Sequence, residues 1–154
     1  MHCAGNLRNE EMMENTYENL LQPTETNILL IEDNPPQAKL LKRWIEMGGG
    51  FNVTIVDNGT LGLRSIQQAS WDLVISDIHV PGTTGLEIAR IMKTENITTP
   101  ILLVTAHDGL GANNQALRDM ADDYLTKPFS KSAIVGKIAE LLNPHKDQSL
   151  TEAA

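Results

Sequence analysis

The chain has 154 residues, with 41% apolar and 21% charged residues and a net charge of −8. That suits one domain with a real hydrophobic core, and the acidic balance argues against a nucleic-acid groove, which needs a basic stripe. No apolar run approaches the roughly 18 residues of a membrane span, the N-terminus lacks the order of a signal peptide, and the single Cys3 cannot form an internal disulfide, so a cytoplasmic protein bound to neither membrane nor nucleic acid is expected.

Residues 1–25 hold five acids and one base. Met13, Tyr17, Leu20 and Leu21 fall on one helical face, before Pro23. The expectation is a flexible leader; the alternative is a short helix that docks on the domain or on a partner. Residues 26–143 form the domain and 144–154 a solvated tail.

From Asn27 the pattern alternates. Ile28–Ile31 reads as a buried strand stopped by Glu32-Asp33. Asn34 caps a helix whose first position is Pro35, where the missing N–H costs nothing. Leu40, Leu41, Trp44 and Ile45 give that helix an apolar stripe, and Gly48-Gly49-Gly50 ends it. Phe51–Val56 is the second strand, and Asp57-Asn58-Gly59 turns into a helix over 60–69. Leu73–Asp77 is a strand buried on both faces that ends abruptly on an acid. Pro81-Gly82 and Gly85 follow, then a helix over 86–96. Pro100–Thr105 is the fourth strand. A helix over 109–120 is weakened at its start by Gly109 and Gly111. Tyr124-Leu125-Thr126 is a short fifth strand, and Ile134, Ile138, Leu141 and Leu142 mark the last helix.

Five strands alternating with five helices predict an α/β fold, a doubly wound five-stranded parallel sheet of flavodoxin-like type. Strand order 2-1-3-4-5 puts the switch point between the first and third strands. Their ends carry Glu32-Asp33 and Asp77. Three carboxylates brought together repel; at 4 Å and an effective dielectric of 20 each pair costs about 4 kcal/mol before solvent relaxes. A cation or a shifted pKa must offset that, and all-oxygen ligands suit Mg²⁺ best. Taken alone, Glu32 and Asp33 merely end a strand and cap a helix. Thr105-Ala106 and Lys127-Pro128, ending the fourth and fifth strands, point into the same crevice. An acid nucleophile, two further acids, a hydroxyl and an ammonium make a set able to hold a phosphoryl group, with Asp77 attacking in line to become an acyl phosphate.

Glu32-Asp33, Asp77 with Pro81 and Gly85, Thr105-Ala106, and Tyr124–Phe129 resemble the receiver domain of bacterial two-component response regulators over residues 26–143. The resemblance implies a signalling phosphoacceptor rather than an enzyme. Asp77 would take phosphate from a sensor histidine kinase or a histidine phosphotransfer protein. Mg²⁺ would be held by Asp33, Asp77 and the His79 backbone carbonyl, with Glu32 acting through water. Thr105 and Tyr124 would be a switch pair altering the face of the fourth helix, fifth strand and last helix for an output protein. A cis Lys127-Pro128 peptide is implied too. Val80 and Thr83-Thr84 depart from the family's usual residues, which puts that loop's partner contacts in question. No output domain is visible after Leu142, which reads as a stand-alone receiver, and a homodimer stays open.

Two other classes compete. An aspartyl-phosphate phosphatase needs a second acid two residues after its nucleophile, where this chain has His79. A nucleotide or flavin binder needs a cradle rich in N–H donors, and Glu32-Asp33-Asn34-Pro35-Pro36 is acidic instead. A receiver-like module that works without phosphate is the third alternative, set against a complete residue set. His79 and His107, each two residues past a site residue, together with Ala106, are candidates for tuning the lifetime of the phosphoryl group.

Overall fold

The computed structural model describes residues 25–106 and 114–143. The leader up to residue 24, His107, the stretch expected to open the fourth helix, and the tail from 144 lie outside the described residues. The elements run β1 (Thr26–Ile31), α1 (Pro35–Glu46), β2 (Phe51–Val56), α2 (Gly59–Gln68), β3 (Leu73–Asp77), α3 (Gly85–Thr94), β4 (Ile101–Ala106), α4 (Asn114–Met120), β5 (Asp123–Lys127) and α5 (Lys131–Leu142). The five strands form one parallel sheet in the order β2-β1-β3-β4-β5.

Strand alternation divides the core in two. On one face Ile28, Leu30, Leu73, Ile75, Leu102 and Val104 pack against Leu41 and Ile45 of α1 and Ile134 and Ile138 of α5. On the other, Leu29, Ile31, Val74 and Leu103 meet Ile66 of α2 and Ile88, Ala89 and Met92 of α3. Because both faces are covered, β3 is buried along its whole length, which explains its unbroken apolar run.

Side-chain caps start the helices at the carboxyl edge of the sheet. Asn34 accepts from the Gln37 N–H and Asn58 from that of Leu61. Thr84 and Glu87 form a reciprocal capping box, and Ser130 accepts from the Ala133 N–H. Four helix N-termini, with their partial positive charge, therefore surround the crevice. Sequence and structure differ mainly at element ends. The helix expected over 86–96 stops at Thr94, because Asn96 adopts a left-handed φ of 57°, a conformation asparagine tolerates better than most residues. The fifth strand extends by one residue at each end, so that Lys127 is its last residue. The Lys127–Pro128 peptide is cis.

Candidate functional site

Register decides which side chains share the crevice. Ile31 pairs with Ser76 and Asp77 with Val104, while Val104 pairs with Leu125 and Ala106 with Lys127. Asp77 continues the alternation of Leu73 and Ile75, Glu32 that of Ile28 and Leu30, and Lys127 that of Leu125, so all three project toward the α1 side. There the Lys127 Nζ lies 2.7 Å from Asp77 Oδ2 and 3.4 Å from Glu32 Oε2. Its third partner is the Gln37 Oε1, at 2.8 Å.

The Glu32 carboxyl is 3% exposed, and burial, more than any neighbour, pushes its pKa above the ordinary carboxylate value; Lys127 and the Asn34 N–H pull it down, and Asp77 pushes it up. For Lys127, burial works against the charged form, but the hydrogen bond and charge of Asp77, helped by Glu32, outweigh it and raise the ammonium's pKa. The ammonium is thus the counter-charge for two partly desolvated carboxylates. That corrects the picture of three acids crowding one another: Asp33 is exposed and makes no hydrogen bond among the described residues. Among those residues, no three His, Cys, Asp or Glu side chains gather closely enough to hold a metal ion.

The available donors nonetheless suit a hard cation in kind. Asp77 Oδ1 accepts from the His79 N–H at 3.0 Å, which turns the chain after Asp77 back over its own carboxylate. The His79 carbonyl accepts no backbone hydrogen bond among the described residues. Glu32 and Asp33 follow β1 directly, and Asp77 ends the adjacent β3; carboxylates and a backbone carbonyl are all-oxygen donors of the kind Mg²⁺ prefers.

The loop behind Asp77 is held by backbone. Gly82 takes a left-handed φ of +78°, which glycine adopts without steric cost. The Pro81 carbonyl accepts from the Gly59 N–H at 2.8 Å. At Gly85 a Cβ would come within 2.7 Å of the Asp77 carbonyl oxygen and 3.0 Å of the Ile78 Cα. The helix α3 can thus start close against the aspartate's backbone only with glycine there.

Thr105 does not join the Lys127 cluster. It is buried on the opposite pleat, and its hydroxyl donates to the Ala106 carbonyl at 3.1 Å. Tyr124 shares that second face, half-buried against the core between the sheet and α3. Ala106 is exposed at the strand end, as is His79; His107 lies outside the described residues. Sequence reasoning missed Gln37. Its signal was its place in the first turn of the helix that follows Asp33, where a side chain can reach back over the strand ends.

An open parallel α/β sheet with this cluster at the carboxyl end of its central strand defines a doubly wound protein whose chemistry sits at the switch point. Residues 28–139 match the family model of the response regulator receiver domain, and the chain belongs to that family, the receiver domains of two-component systems. It is 35% identical over 116 residues to the Bacillus subtilis transcriptional regulatory protein YkoG, covering 75% of this chain and 50% of that protein. The receiver domain of the Francisella response regulator 1452 superposes with a TM-score of 0.71 at 27% identity, over 79% of this chain and 99% of that one. The Thermotoga maritima response regulator TrrA, solved in complex with Mg²⁺-BeF, gives a TM-score of 0.67 at 30% identity, over 76% and 99%. The chain spans about half the length of the curated relatives it matches. No described helix is long and apolar enough to cross a membrane.

Proposed function

We propose that Asp77 is the phosphoacceptor of a cytoplasmic phosphorelay, receiving a phosphoryl group from the phosphohistidine of a sensor kinase or phosphotransfer protein. An Asp77 carboxylate oxygen attacks phosphorus, the phosphorus–nitrogen bond breaks, the imidazole leaves with the bonding pair and an acyl phosphate remains. The working unit is residues 26–143, flanked by the leader 1–25 and the tail 144–154. The observation that carries this reading is the 2.7 Å contact between Lys127 Nζ and Asp77 Oδ2 within a buried carboxylate pair. A cation already seated beside the nucleophile needs only to exchange a carboxylate oxygen for a phosphoryl oxygen, so its charge is preorganised.

Asp33, Asp77 and the His79 carbonyl would hold Mg²⁺, with Glu32 reaching it through water. The ion, when bound, supplies positive charge against the incoming phosphoryl oxygens. Lys127 pairs another of those oxygens, and Thr105 gives up its bond to the Ala106 carbonyl to donate to the phosphoryl group. Tyr124, on the same pleat as Thr105, then follows it inward, and the α4–β5–α5 face changes shape for an output protein. Ala106, His79 and His107 would adjust how readily water reaches the acyl phosphate. The protein catalyses its own phosphorylation and dephosphorylation but turns over no separate substrate. Relatives named as transcriptional regulators, the DNA-binding response regulator MtrA among them, suggest that the output is gene control.

Incubation with acetyl phosphate and Mg²⁺, read by intact mass, tests this. Wild type should gain one phosphate and Asp77→Asn none. Labelling of Asp77→Asn together with loss of labelling in Asp33→Asn would show that the nucleophile is misassigned.

A further inference from the structure

Two of the three exposed large hydrophobic side chains among the described residues lie along α1 and its C-cap: Leu40, 46% exposed, and the capping residue Met47, 62% exposed. With half-buried Trp44 they follow the spacing i, i+4, i+7, one continuous stripe along the helix. The stripe's upper part opens into a groove of about 440 Å³ lined by Leu40, Trp44, Ala106, Pro128 and Phe129. Cations stand along the stripe: Lys39 and Arg43, which line a neighbouring hollow with Met47, are exposed and have no ion pair among the described residues, and the Lys131 Nζ lies 3.8 Å from the Met47 sulfur.

The chain carries the complement of that surface in its own leader. Met13, Tyr17 and Leu20 repeat the spacing i, i+4, i+7, among Glu10, Glu11, Glu14 and Glu18. The attachment point fits as well. The Thr26 N–H donates to the Gly50 carbonyl at 2.9 Å, so the leader joins the sheet beside the carboxyl end of α1, just past Met47. Four residues lie between Leu21 and Thr26, five steps of chain with a reach of up to about 16 Å. Running parallel to α1, a leader helix would set Leu20 against Met47, Tyr17 against Trp44 and Met13 against Leu40. Each triplet covers seven residue steps, about 10 Å of helix, so the two stripes match in length.

We infer that residues 10–21 dock on the outward face of α1, their apolar stripe on Leu40–Trp44–Met47 and their glutamates against Lys39, Arg43 and Lys131.

The test is paramagnetic broadening in the full ¹⁵N-labelled chain, with Cys3→Ser and Asn15→Cys carrying a nitroxide. Asn15 sits off the proposed apolar face, so the label does not occupy the contact. Amides of α1 and of residues 127–131 should lose half or more of their intensity, while α2 and α3 keep theirs. Tyr17→Ser with Leu20→Ser should abolish the pattern. Lys39→Glu with Arg43→Glu should weaken it severalfold, and adding Glu14→Lys with Glu18→Lys should restore it. Raising salt from about 0.1 M to about 1 M, which cuts the screening length from about 10 Å to about 3 Å, should weaken the wild-type pattern. Broadening spread evenly over the domain, or centred elsewhere, would overturn the inference. So would equal broadening in a mixture of nitroxide-bearing ¹⁴N chains and unlabelled ¹⁵N chains, which would mean that a second copy fills the groove.

Discussion

Replacing Lys127 with methionine keeps most of the side chain's length and removes its charge. In the folded protein Lys127 faces Asp77 at 2.7 Å and Glu32 at 3.4 Å, with its own side chain 24% exposed and theirs 11% and 3%. Breaking a fully buried pair by deleting one partner costs about 3–5 kcal/mol. Here the crevice is open on one side, so about 1–3 kcal/mol is expected at neutral pH. The sign of the pH dependence follows from Glu32. Its folded pKa already lies above its ordinary 4.5, chiefly through burial, so ionised Glu32 destabilises the fold, and it does so as pH rises past its unfolded value. Lys127 is the main influence holding that rise in check. In Lys127→Met the Glu32 pKa rises further. The part of the stability loss that comes through Glu32 should therefore be small near pH 4.5, grow through the next pH units, and stay level toward pH 8. Lys127's own raised pKa keeps its contribution present below its ordinary 10.5 and removes it only above. Urea unfolding of wild type and Lys127→Met at several pH values reads the difference directly. A Glu32→Gln background should shrink it, with a coupling of about 0.5–3 kcal/mol in the double-mutant cycle. A pH-independent loss with no coupling to Glu32 would refute the argument that the ammonium compensates buried carboxylates.

Gly85→Ala should destabilise by about 2 kcal/mol or more, since the new Cβ would press on the Asp77 carbonyl at 2.7 Å and backbone cannot yield as a side-chain tip can; thermal unfolding measures it, and an unchanged melting temperature would mean that α3 stands further from β3 than described. Millimolar Mg²⁺ should raise the melting temperature of wild type, by an amount equivalent to about 2.7 kcal/mol if it reaches a hundred times its dissociation constant. Asp33→Asn should blunt that response, and a melting temperature indifferent to Mg²⁺ would count against the proposed ligand set.

Much of this was legible in one dimension. The apolar runs of β1, β3 and β4 are bounded so sharply by Glu32, Asp77 and Thr105-Ala106 that strand ends, topology and the acid at the switch point follow from local pattern and the handedness of crossovers. Asn34, Asn58, Thr84 and Ser130 all start helices because a side-chain oxygen satisfies orphan N–H groups within the same few residues. Capping of this kind is local chemistry, so sequence alone determines it. The charge arrangement needed the third dimension. Only the register of five strands, set by pairs far apart in sequence, puts Asp77, Glu32 and Lys127 on one pleat and Thr105 with Tyr124 on the other. Only the docking of α1 on that sheet brings Gln37 to Lys127, 90 residues away. Residue types announced the chemistry, but burial and a one-residue parity decided which carboxylates the lysine neutralises, because a side chain's face in a strand changes with every step along the chain.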